Sequence, residues 1–156
     1  MATNNSINLK GPIPAFSAYL GAPDVDVTGD STVFVLGSGN ALTEIYDYTN
    51  SFVTTGTFTA PISGLYQFNI CSLFQDVSAA MGLVVTLVTT KRTYTYGNNA
   101  ASFAGNNAIS FSTLADMDAT DTAYIQLAAT GGTKTVDIYG GADARTFFNG
   151  FLIFKI

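Results

Sequence analysis

Apolar and polar residues alternate along the chain in short runs, and Gly, Pro, Asn and Asp punctuate the runs. That pattern predicts strands joined by turns. The runs are Ala15 to Leu20, Thr32 to Leu36, Leu42 to Tyr48, Phe52 to Thr59, Leu65 to Phe74, Met81 to Thr90, Thr93 to Tyr96, Ile109 to Leu114, Ala123 to Ala128, Val136 to Tyr139 and Phe147 to Ile156. Period-2 alternation assigns faces. Tyr66, Phe68 and Ile70 share one side of their strand, with Leu65, Gln67, Asn69 and Cys71 on the other. Leu42, Glu44, Tyr46 and Tyr48 are expected together on one side. Phe52 to Thr59 reads as one threonine-rich strand or a pair of short ones. No stretch carries a 3.6-residue period, so no helix is expected.

Many short alternating strands without helices predict an antiparallel β-sandwich. Three strands break the simple alternation. Val33 to Leu36, Met81 to Val88 and Phe147 to Phe154 are apolar on both sides. A two-layer sandwich leaves one face of each sheet wet, so something covers the second face. A subunit interface is the simplest candidate, and loop coverage is the alternative.

Composition narrows the chemistry. The chain has 156 residues, a net charge of −5, only 11% charged residues, no histidine and one cysteine, Cys71. Without histidine there is no Ser-His-Asp or Cys-His catalysis and no imidazole metal site. One cysteine makes no intrachain disulfide and no thiolate cluster, and Cys71 reads as a small buried hydrophobe. The six basic residues are scattered and outnumbered by acids, which argues against nucleic acid or an anionic membrane as partner. The opening residues are polar, with no basic segment leading an apolar run. A secretory signal is not expected there, and the chain reads as a soluble protein. The scarcity of charge fits either partner-covered surface or a surface solvated by Thr, Ser, Asn and Gly.

Three segments carry a resemblance. Pro14-Ala15-Phe16-Ser17-Ala18 is similar to a first strand. Phe58-Thr59-Ala60-Pro61-Ile62-Ser63-Gly64-Leu65-Tyr66-Gln67-Phe68 is similar to a central motif of Phe, then Pro, then Gly-Leu-Tyr-x-Phe. Phe148-Asn149-Gly150-Phe151-Leu152-Ile153 is similar to a closing Phe-Ser-Gly-Phe-Leu strand. In this order they resemble the globular-head domain of complement C1q, in the C1q/tumour-necrosis-factor superfamily, from about Pro14 to Ile156. The resemblance implies an all-β, ten-stranded jelly roll that assembles as a homotrimer. It puts Phe16, Tyr66, Phe68, Phe148 and Phe151 in the core or around the trimer axis. Two departures stand out. The family's Gly-Asp turn before the penultimate strand is altered after Leu114, and there is no Gly-X-Y stalk. The Asn-rich opening, Met1 to Asn8, also resembles short segments of phage tail and fibre proteins. Residues 1–12 therefore read as a tail or attachment segment, and 13–156 as the jelly-roll domain.

Three constellations offer chemistry. Asp116, Asp118 and Asp121 form the densest acidic cluster, a candidate for structural Ca²⁺, which takes roughly six to eight oxygens. The alternative is a solvated turn whose Asp side chains cap backbone amides. Asp24, Asp26 and Asp30 form a second such group. Tyr94, Tyr96, Asn98, Asn99 and Phe103 combine flat rings with amide donors and acceptors, a candidate surface for polar ligands such as sugars; turn geometry is the alternative. The resulting expectation is a non-catalytic trimeric binding or structural module with no obligatory cofactor. It would sit on a virion, as a phage fibre, receptor-binding tip or capsid decoration. Its partners would be itself, other virion proteins and a cell-surface receptor or glycan. A secreted C1q-like ligand or lectin is the alternative.

Overall fold

A computed structural model describes residues 11–99 and 104–156, with side chains for all of these but 98 and 99. Phe103 and the first ten residues of the expected tail lie outside the described residues. The described chain is all strand and turn. The strands are β1 Ala15–Leu20, β2 Asp24–Thr28, β3 Phe34–Val35, β4 Leu42–Asp47, β5 Phe52–Val53, β6 Thr57–Thr59, β7 Gly64–Val77, β8 Gly82–Thr89, β9 Thr93–Asn99, β10 Gly105–Met117, β11 Thr122–Thr130, β12 Val136–Ile138 and β13 Phe147–Lys155.

The strands form two antiparallel sheets. In the seven-stranded sheet the order is β2-β12-β7-β13-β1-β4, with β10 on the other side of β7. In the six-stranded sheet it is β5-β6-β11-β8-β9, with β3 added to β11. β7 organises the large sheet. It pairs along its length with β10 on one side, and with β13 and then β12 on the other.

The Tyr66-Phe68-Ile70 side of β7 faces inward and is buried, as its alternation predicts. Between the sheets lies a cluster of aromatic rings. Phe16 stacks on Phe52 at 4.7 Å and on Phe58 at 4.9 Å, and meets Phe148 edge-on at 4.9 Å. Tyr66 and Phe68 pack edge-on against Phe58. Offset and edge-to-face pairs of this kind contribute about 0.5–1.5 kcal/mol each beyond their buried area. Gly150 makes the cluster fit. It lies between Phe16 and Phe68 in register, where a β-carbon would come within 2.6 Å of the Phe16 ring and 2.7 Å of the Phe68 ring.

Two expectations need correction. Among the described residues there are thirteen strands rather than the ten that the resemblance implies: of the eleven runs in the sequence, Phe52 to Thr59 forms two short strands, and β2 forms where acidic turns were expected. The single-sided reading of Leu42, Glu44, Tyr46 and Tyr48 fails at a bulge. Ser17 pairs with Tyr46 but Ala18 pairs with Glu44, so Ile45 is the extra residue. An extra residue shifts the parity. Leu42 therefore points into the core, while Tyr46 and Tyr48 turn outward and stack at 5.0 Å. Separately, no loop among the described residues covers the apolar second face of β13: Phe154 is 60% exposed, and Phe151 and Ile153 are exposed beside it.

Candidate interaction surface

Two surfaces of the sandwich are unfinished. The first is the outer face of the large sheet. Register lines up its residues in rows across the strands. One row runs Tyr46, Ser17, Asn149, Asn69, Ser112 from β4 to β10. The rows on either side of it are Tyr19, Phe147, Cys71, Ser110 and Ala15, Phe151, Gln67, Leu114. None of these residues is charged. Within the polar row the Ser17 hydroxyl donates to Asn149 Oδ1 at 2.8 Å, and Gln67 Nε2 donates to Asn69 Oδ1 at 3.1 Å. A shallow depression of about 400 Å³ lies at the β10 end, lined by Gln67, Ser112, Thr113 and Leu114.

The second surface is the edge where β9 and β10 run along the ends of the two sheets. Among the described residues each strand has a neighbour on one side only. A bare edge offers unpaired backbone N–H and C=O groups, which proteins ordinarily protect with charge, proline or a covering element. Residues 93–99 and 105–115 contain neither a charged residue nor a proline. Tyr96, 53% exposed, stacks on Phe111 across the opening between the sheets.

The expected ligand residues divide between these settings. Tyr94 and Tyr96 pair with Leu87 and Val85, which puts them on the inner side of β9. Tyr94 packs against the core, and burial pushes its phenol above the usual value. Tyr96 faces the open edge. Asn98 and Asn99 end β9, opposite Leu83 and Gly82. Of the five residues assigned to core or axis, Phe16, Tyr66, Phe68 and Phe148 are in the core, and Phe151 is on the open face. The alternation of Ser17, Asn69 and Asn149 with buried neighbours was the available signal for the polar row.

The acidic cluster near the β10–β11 turn is engaged by cations. Lys91 Nζ lies 3.1 Å from Asp118 and 3.6 Å from Asp116, and Arg92 lies 2.8 Å from Asp116. The hydrogen bond that Lys91 donates to the Asp118 carboxylate holds its ammonium above the usual pKa. Asp121 Oδ2 accepts the Asp118 backbone N–H at 2.8 Å. Thr120 has φ 78°, a left-handed conformation that favours glycine. The altered turn thus keeps a glycine-like backbone with threonine in it. Among the described residues no three acidic or thiol side chains converge in a metal-holding group. In the second acidic group, Asp24 is buried and its Oδ1 accepts from the Asn40 backbone and side chain at 2.7 and 3.0 Å. The Thr32 hydroxyl and backbone N–H hold the Asp30 carboxyl below its usual range. Cys71 is half-buried on the outer face, and desolvation raises its thiol pKa.

The described residues thus form a jelly-roll sandwich with shallow faces and an open edge. The sequence matches the C1q domain family over residues 42–153, so the chain belongs to that family. It is similar in structure to the globular domain of zebrafish complement 1qA, at 20% identity, covering 93% of this chain and 100% of that one with a TM-score of 0.62. Murine APRIL is similar at 14% identity, covering 91% and 100%, with a TM-score of 0.61. The PRD1 vertex protein P5 is similar at 12% identity, covering 90% of this chain and 73% of that one, with a TM-score of 0.61. Among curated proteins none matches by sequence. Domains of the C1q/TNF-like class are generally non-catalytic binding modules.

Proposed function

We propose that this protein is a non-catalytic binding and structural module that works as a cyclic homotrimer on a virus particle. One observation carries the assembly: among the described residues the chain has an edge, along 93–99 and 105–115, without charge or neighbour, and three rows of an outer face without charge or cover, and they are different surfaces. A face that met its own copy would give a two-fold dimer and leave the edge bare. Edge against face is a heterologous contact, which covers both surfaces in every copy when the ring closes. Three is the number that the family resemblance supplies. A net charge of −5 on each copy makes an uncharged contact the favourable one.

The loops of three copies would then present one ligand surface, with avidity coming from their fixed geometry rather than from a deep pocket. The virion assignment is supported by the Asn-rich opening and is compatible with the fold shared with a vertex protein. Light scattering after size-exclusion chromatography tests the assembly. A species near three times the 16.4 kDa chain mass is expected, and a monomer at all concentrations refutes the ring. An antibody against the chain should decorate particles from the source culture in electron micrographs. Antigen found only in particle-free fluid would favour a secreted ligand, the reading that the complement-like fold supports.

A further inference from the structure

We infer that the polar row Ser17, Asn149, Asn69, Ser112, with Gln67 beside it, is the hydrogen-bonding floor on which the unpaired β9/β10 backbone edge of a neighbouring copy rests. This depends on the ring proposed above and adds what holds its contact in register. The row lies between Phe147 and Cys71 on one side and Phe151 and Leu114 on the other. Polar groups in such a setting cost stability when covered unless they find partners.

The partners inside the chain leave capacity unused. Asn149 and Asn69 each accept one hydrogen bond through Oδ1, so both amide N–H₂ groups remain as donors and the oxygens retain a second lone pair. Ser112 is exposed, and its hydroxyl makes no hydrogen bond among the described residues. A side-chain amide carries both donor and acceptor, and a hydroxyl does the same. A bare strand edge presents alternating N–H and C=O groups that need both kinds of partner. The occupant is a second copy because this chain itself supplies such an edge, free of charge and proline. The row also runs to the large sheet's β10 side, where the depression lined by Gln67, Ser112 and Leu114 opens.

Asn69→Leu and Ser112→Val test this, singly and together, in the full chain. Both enlarge the apolar area, so an interface held only by hydrophobic burial would tighten. Hydrogen bonds to the neighbour's backbone predict weaker assembly, by about tenfold to a hundredfold in dissociation constant for the pair, because the backbone groups are left covered and unpaired. Sedimentation equilibrium reads the constant, and circular dichroism confirms the fold. Ser112→Val, at an exposed position, carries the test alone if Asn69→Leu misfolds. Amide exchange gives a second readout, with slow exchange along 93–97 and 105–115 in the assembled wild type and faster exchange in the variants. Equal or tighter assembly of the variants overturns the inference and leaves the ring standing. A wild type that stays monomeric overturns both.

Discussion

Replacing Gly150 by alanine should unsettle the core through one methyl group. The added carbon would lie 2.6 Å from Phe16 Cε1 and 2.7 Å from Phe68 Cδ1, where ordinary contact between carbons is about 3.5–4.0 Å. Neither ring is free to retreat. Phe16 is held by Phe52, Phe58 and Phe148 within 4.9 Å, and Phe68 lies 5.8 Å from Phe58 and 5.7 Å from Phe148. Overpacking of this kind costs about 1–3 kcal/mol. For a chain of this length each kcal/mol lowers Tm by about 2–4 °C, so a fall of roughly 2–12 °C is expected. Melting must be compared at one protomer concentration, since association raises the apparent Tm. Pairing Gly150→Ala with Phe16→Leu, which trims the opposing ring, should cost less than the sum of the single changes by about 0.5 kcal/mol or more. A Tm unchanged within 1 °C, roughly 0.3 kcal/mol on the same scale, would refute the reasoning, as would strict additivity in the pair.

Tyr66 donates its hydroxyl to the Ile62 carbonyl at 2.7 Å, and burial raises its phenol above the ordinary 10.0. The folded state keeps that proton longer than the unfolded state, so its contribution is full below pH 10.0 and is lost as pH rises through the raised folded value. Alkaline denaturant titrations should show this slope, and Tyr66→Phe should flatten it while costing about 1 kcal/mol at neutral pH. Thr120→Gly should raise stability by about 0.5 kcal/mol, since relief of a left-handed residue is worth about 1–2 kcal/mol against glycine's own cost of about 0.5–1; urea midpoints check it. Asp47→Ala removes the acceptor of the Thr49, Ser51 and Phe52 backbone N–H groups and should cost about 1–3 kcal/mol by the same measurement. A calcium chelator should leave Tm unchanged, because Lys91 and Arg92 neutralise Asp116 and Asp118; a clear drop would show that the cluster holds calcium.

Most strands were legible because one face is buried and the alternation records it. β1 and the inward side of β7 are where the pattern puts them. β2 was missed because Asp24 and Asp26 look like turn residues, whereas Asp24 is buried against Asn40 and Asp26 takes a left-handed φ of 53°. The β4 bulge was invisible because a one-residue insertion in pairing leaves no mark in a polar-apolar string. The candidate site was less legible still. Tyr94 and Tyr96 advertised an aromatic surface, but their inward orientation at a sheet edge depends on the β8–β9 register. The polar row of Ser17, Asn69, Ser112 and Asn149 arises from four strands distant in sequence, so its members acquire meaning only when the sheet is assembled.

The strand order also has a consequence for synthesis. β13 lies between β7 and β1 in the middle of the large sheet, so β1 emerges from the ribosome long before the strand that must separate it from β7. Until then the facing edges of β1 and β7 lack the strand that pairs with both. Folding is therefore expected to be completed only after β13 has cleared the exit tunnel, and a chain stalled before Phe147 would remain exposed to chaperones and to wrong strand pairing.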